Sequence, residues 1–158
     1  MIKLTVSSLI ALVAMTLMSF TATPQFEAVA LVTLRAGTAV SLTLNQEVNA
    51  NDFSVGNTVE FLVKTNVTVN GQVVIAAGSP AEGMIKDVVK SCEKGCKEKR
   101  CSKIIISVET AQSVDGQSVL LNSIPLTVQA DCCCNEAAVA KIGTSVSAKV
   151  RNDININA

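Results

Sequence analysis

The chain has 158 residues, 13 basic and 13 acidic side chains, 49 % apolar and 3 % aromatic residues, and no His, Trp or Tyr. This length suits a single domain. The missing His excludes Ser-His-Asp and Cys-His catalysis, imidazole metal ligands and a histidine pH switch. A net charge of zero, with no aromatic platform on which bases could stack, argues against a nucleic-acid partner.

Lys3 precedes an uncharged run from Leu4 to Phe20, and no further charge appears before Glu27. One positive charge, a short apolar stretch and then small residues is the layout of a secretory signal peptide. Ala28-Val29-Ala30 offers a small-x-small cleavage site, which assigns residues 1–30 to the signal and 31–158 to one mature domain; cleavage nearer Ala22 is the alternative. The other reading is a retained spanning anchor, for which the run is slightly short of the roughly 20 residues that cross a bilayer core; with the signal cleaved, no stable transmembrane anchor is expected. The expected location is outside the cytoplasm: periplasm, outer envelope or extracellular space.

From residue 31 onward the chain is rich in Val, Ile and Thr, which suit a pleated, half-buried surface. Val40, Leu42 and Leu44 alternate with Ser41, Thr43 and Asn45, and Val59, Phe61 and Val63 alternate with Glu60 and Lys64. Val67-Thr68-Val69 and Gln72-Val73-Val74 flank Asn70-Gly71, the strongest short hairpin signal, because both turn residues accept a positive φ. Ala77-Gly78-Ser79-Pro80 predicts a turn before a strand from Ala81 to Val89. A second hairpin is expected from Ile104 to Val114, through Asp115-Gly116, to Gln117–Leu121. Short strands with turn signals at about ten-residue spacing predict an all-β fold, a small closed barrel or β-sandwich of antiparallel strands and hairpins.

Two stretches are alike. Gly37-Thr38-Ala39-Val40-Ser41-Leu42 through Asn49 runs parallel to Gly143-Thr144-Ser145-Val146-Ser147-Ala148 through Asn155. Gly-Thr-x-Val is a common way to begin a strand; the sharper expectation is that the first and last strands are equivalent and pair to close a barrel, removing two exposed edges.

Ala36-Gly37-Thr38, Val55-Gly56-Asn57-Thr58-Val59, the hairpin Val67 to Ser79, Gly83 and Val114-Asp115-Gly116 follow one another in a recurring bacterial envelope pattern. In this, residues 36–121 resemble the β-barrel domain of type IV secretion and conjugal-transfer core-complex proteins. The resemblance implies a barrel architecture and an envelope scaffold role. The chain departs from that family in having Ala76-Ala77 where a proline usually precedes the Gly-Ser step, and in lacking the proline-rich arm and helical pore insert. A secretion channel is therefore not implied.

Six cysteines fall in two loops, Cys92, Cys96 and Cys101 in residues 90–103 and Cys132, Cys133 and Cys134 in residues 131–136. Three readings fit them. In an exported protein an even number of cysteines points to disulfides. Bonds between sequence neighbours need a strained ring, so pairing each cysteine of the triplet with one of the other loop is the easier arrangement. Soft thiolates also suit Zn or Cu(I), although Cys-x3-Cys-x4-Cys plus a triplet is not a paired Cys-x2-Cys framework. The third reading is a redox or free-thiol role, in which neighbouring cations lower the thiol pKa.

The first loop carries six Lys or Arg against two Glu. Lys94, Lys97, Lys99 and Arg100 read either as a solvated tip or as a contact for an anionic surface. Asn66-Val67-Thr68 is a glycosylation sequon. Asp52, Glu60, Asp87, Glu109 and Asp115 are scattered carboxylates, expected on strand faces and in turns, and no catalytic residue is assigned. The expected function is a non-enzymatic envelope or extracellular structural and interaction module, without cofactor and with other envelope or extracellular proteins as partners. The alternative is a small thiolate protein holding Zn or Cu.

Overall fold

A computed structural model describes residues 31–92, 101–131 and 136–158. The expected signal peptide, 1–30, lies outside the described residues. Thirteen strands follow in chain order: β1 (Leu31–Leu34), β2 (Ala39–Leu44), β3 (Val48–Asn49), β4 (Thr58–Val63), β5 (Val67–Val69), β6 (Gln72–Ile75), β7 (Pro80–Val89), β8 (Lys103–Gln112), β9 (Ser118–Ser123), β10 (Leu126–Gln129), β11 (Val139–Ala140), β12 (Ser145–Val150) and β13 (Ile154–Asn157). No helix occurs among the described residues. The all-β expectation holds, and of its two forms the closed barrel is the one present: β8, β7, β4, β2, β12 and β9 are bonded in that order, and β9 returns to β8.

Alternation in the sequence becomes the inside and outside of the barrel. β2, β4, β9 and β12 each bury every second residue, because successive side chains leave opposite faces of a strand. A six-stranded barrel is narrow enough for side chains to fill it. Phe61, Leu42, Leu44, Ile85, Ile104 and Ile106 are almost wholly buried there, each contributing about 1.5–3 kcal/mol by leaving water. Phe53 packs against this core only in part.

The two similar stretches do pair. β2 and β12 lie antiparallel with Ser41 opposite Ser147, each being the counterpart of the other in the repeat. Hydrogen bonds obey the same two-fold relation. Gly37 N donates to Val150 O and Gly143 N to Leu44 O, both at 2.8 Å; Val150 N donates to Thr38 O and Leu44 N to Thr144 O, both at 2.9 Å. The Thr38 and Thr144 hydroxyls donate to Arg35 O and Lys141 O at 2.7 and 2.6 Å. The expectation needs one correction, since the outermost strands are β1 and β13 and they pair outside the barrel wall, with Leu34 opposite Ile154. Their two-fold counterpart is β11 with β3, where Ala140 faces Val48. Two short ribbons thus flank the barrel.

β8 shares one edge between two partners. Thr110–Gln112 pair with β9, whereas Lys103–Ile106 pair with β10 in the same antiparallel sense. β9 and β10 therefore act as one strand interrupted by a bulge at Ile124-Pro125, where Ile124 is expelled to 85 % exposure. Across the bulge the Ser123 hydroxyl accepts the Val108 amide at 2.8 Å, replacing the backbone acceptor that the interruption removes.

The Asn70-Gly71 hairpin forms as expected between β5 and β6, with φ of 53° and 83°. The Asp115-Gly116 turn is wider than a two-residue connection. β8 ends at Gln112 and Ser113 N donates to Gln117 O at 2.9 Å, closing a loop over Ser113–Gln117.

Candidate functional site

β7 and β8 form the longest hairpin of the fold, and the first cysteine loop connects them at the Val89 and Lys103 end. β10 lies on the other edge of β8 with Gln129 opposite Lys103, so the chain enters the second cysteine loop beside the exit of the first. Both cysteine loops therefore root at the same end of the barrel.

Ser102 joins the roots. It is 1 % exposed, one of three buried polar residues among those described. Its hydroxyl donates to Val89 O at 2.9 Å, where the chain leaves β7, and accepts the Ala138 amide at 2.9 Å, where the chain returns from the second loop. Its backbone carbonyl accepts Ala130 N at 3.0 Å, where the chain leaves β10. One residue, itself on the stalk that enters β8, thus touches the other three. A serine at the strand entry can do this because its hydroxyl both donates and accepts within a small volume.

A second clamp lies alongside. Asn51, just past β3, presents its amide to Ser91: Ser91 N donates to Asn51 Oδ1 at 2.9 Å and Asn51 Nδ2 donates to Ser91 Oγ at 2.8 Å. Asn51 is itself held by the Asn49 side chain, which accepts its backbone N–H at 2.9 Å. Ala50 N donates to Ala138 O at 2.9 Å. The β3/β11 ribbon therefore floors the end from which the loops emerge.

Cys92 and Cys101 are half-buried at the two sides of the first loop, and neither residue lacks an interaction partner. Cys96, Cys132, Cys133 and Cys134 lie outside the described residues, as do Lys94, Lys97, Lys99 and Arg100. Among the described residues no cluster of three or more metal-ligating side chains occurs. Of the basic residues at this end, Lys103 is neutralised by Asp87 at 2.8 Å. The hydrogen bond and the charge of Lys103 together hold the Asp87 carboxyl below its ordinary value.

Asp115 organises the opposite end. Its carboxylate accepts the Ser113 hydroxyl at 2.6 Å and the Asn157 amide at 2.9 Å, and also binds the Gln117 side chain. The Ser113 hydrogen bond, with those from Asn157 and Gln117, holds its pKa far below the usual carboxylate range against the opposing effect of burial. The turn is thereby tied to β13. Of the other carboxylates, Glu109 is paired with Lys86, and Glu60 stands directly opposite Glu82 on the outer face of β4 and β7.

Sequence reasoning singled out the cysteines and the basic loop but missed Ser102, Ser123 and Asn51. Only Ser102 carried a signal, a lone polar residue between Cys101 and the Lys103-Ile104-Ile105-Ile106 strand. Asn66 of the sequon is exposed and accepts the Ala77 amide at 2.6 Å through its side-chain oxygen. No protein-family model and no curated protein matches the chain.

Proposed function

We propose that this chain is an exported, non-enzymatic scaffold of the bacterial envelope or extracellular space, whose barrel presents a cysteine-stapled tip to a protein partner. The observation that supports the reading most is the convergence of the other three loop stalks on Ser102. Cys101 stands two residues before Lys103 and Cys132 three after its partner Gln129. At about 3.3–3.6 Å per residue, cysteines of the two loops are within easy reach of one another. Disulfides between the loops would hold the tip as one rigid binding surface on a fixed frame. The resemblance of residues 36–121 to core-complex barrel domains supports the envelope setting.

Intact mass of the protein from its natural compartment, before and after reduction, tests the proposal. Two hydrogens gained per bond, three bonds in all and no metal adduct is the expected result. Zn or Cu retained on thiols that are already reduced would replace the staple with a thiolate metal centre at the same tip. The same spectrum reads the N-terminus, expected at Leu31.

A further inference from the structure

The outer wall of the barrel carries two charged faces of opposite sign on opposite sides. In the closed order β8, β7, β4, β2, β12, β9, the pair β4/β7 is separated from the pair β12/β9 by β2 on one side and by β8 on the other. On the first face Glu60 and Glu82 are exposed and directly opposite each other across the two strands. Like charges at such a cross-strand position destabilise an isolated sheet, and neither carboxylate has a salt-bridge partner among the described residues. On the second face Lys149 lies opposite Asn122, and Arg151 N donates to Leu120 O at 2.9 Å. Lys149 and Arg151 are exposed and likewise have no acidic partner among the described residues.

Apolar groups accompany each charge pair. Leu62 and Pro80 are opposite one another one step along from the two glutamates. Leu120 of β9, 46 % exposed, lines a groove with Arg151, and Ile124, 85 % exposed in the bulge after β9, lines another with Lys149. The groove along Leu120 has a volume of about 360 Å³ and is lined by Arg151 and by the Lys86–Glu109 ion pair.

We infer that the Leu120–Ile124 face binds the Glu60–Glu82 face of a second copy of this chain. Each face carries two unpaired charges, opposite in sign to those of the other, beside apolar side chains of which Pro80, Leu120 and Ile124 are exposed and Leu62 is half-buried. The net charge of zero conceals this polarity because the two charge pairs cancel. Since the two patches are different and lie on opposite sides, the contact is heterologous, and repetition gives a ring or a filament rather than a closed dimer. The inference stands on the barrel wall alone and is independent of the state of the cysteine tip.

Charge reversal tests it on the purified protein by sedimentation velocity over a concentration series. Wild type is expected to form a ladder of oligomers that shortens as salt is raised. The variant Glu60→Lys with Glu82→Lys has two basic faces, and Lys149→Glu with Arg151→Glu has two acidic ones. Each alone is expected to associate at least about tenfold more weakly, while an equimolar mixture of the two regains assembly. All four positions are exposed, and thermal melting confirms that each variant is folded. A wild type that stays monomeric up to about 1 mM, or variants that assemble as well as wild type, would overturn the inference. So would a mixture that behaves as the sum of its parts.

Discussion

The Ser102 hydroxyl meets the Ala138 amide at 2.9 Å across 36 residues of sequence, and the intervening chain contains the whole second cysteine loop. The bond is buried, and so is the Ser102 side chain that makes it. Replacing Ser102 by Ala would leave the buried Ala138 N–H without its acceptor and remove a donor from the half-buried Val89 carbonyl. We expect a loss of about 1–3 kcal/mol, read by denaturant unfolding. The loss should persist after reduction, because the bond does not depend on the cysteines. Equal stability of Ser102→Ala and wild type would mean that the stalks are held by something else.

Asp115 makes stability depend on acid. Its pKa is lowered in the folded chain, so the native state binds its proton less readily than the unfolded chain does. Its contribution is complete above the unfolded Asp value of about 3.9 and is lost as pH falls toward the folded value. Wild type should therefore weaken on acidification below about pH 5. Asp115→Asn should be less stable at pH 7 by about 1 kcal/mol and show a shallower acid slope. Asp87, lowered by Lys103, supplies part of the slope that remains. Unfolding free energies at neutral and acid pH for the two proteins decide the matter, and parallel slopes would exclude Asp115.

Gly83 is closed to any side chain by contact. A Cβ there would lie 2.7 Å from Ser107 O and 2.8 Å from the Phe61 ring. The ring could shift but the backbone of β8 could not without breaking the longest ladder of the barrel. Gly83→Ala should cost about 1–3 kcal/mol by overpacking, and Phe61→Leu should fail to rescue it. Thermal melts of the single and double variants provide the measurement.

The bulge between β9 and β10 separates two adjacent residues by consequence. Ser123→Ala removes the acceptor of Val108 N and should cost about 1–3 kcal/mol, with faster hydrogen exchange at Val108. Its neighbour Ile124 touches little, and Ile124→Ser should leave folding stability within about 0.5 kcal/mol of wild type. Equal effects at both positions would mean that the Ser123 bond does not hold the seam.

Removing residues 142–158 would delete β12 from between β2 and β9 and take the partner of β1 with it. No cooperative melting transition is expected to remain. A truncated chain that still melts as wild type does would show that the barrel can close without β12.

What could be read from the sequence was local. Asn70-Gly71 announced its hairpin because few residues accept the φ values needed, and Val40, Leu42 and Leu44 announced their face because the strand period is two. The likeness of residues 37–49 and 143–155 reached further, since a strand that resembles another can pair with it about a two-fold axis. The edge of β8 passing from β10 to β9 was hidden, because nothing in the Ser123-Ile124-Pro125 sequence says which strand lies alongside. The Asp115 bond to Asn157 was hidden for the same reason: a carboxylate in a turn looks alike whether its second oxygen meets water or a distant amide. The opposition of Glu60 and Glu82 needed the register of β4 against β7, which alternation alone leaves open.

The pairing of Leu31–Leu34 with Ile154–Asn157, and of β2 with β12, bears on how the chain is made. A ribosome delivers residue 31 long before residue 154, at about 5–20 residues per second. The earliest strands of the barrel thus wait for the last ones before they can bury their Val and Leu faces. Such long-range pairing also slows folding, because the cost of closing a large loop comes before its contacts form. The barrel of such a chain is completed only after residues 145–157 have left the ribosome.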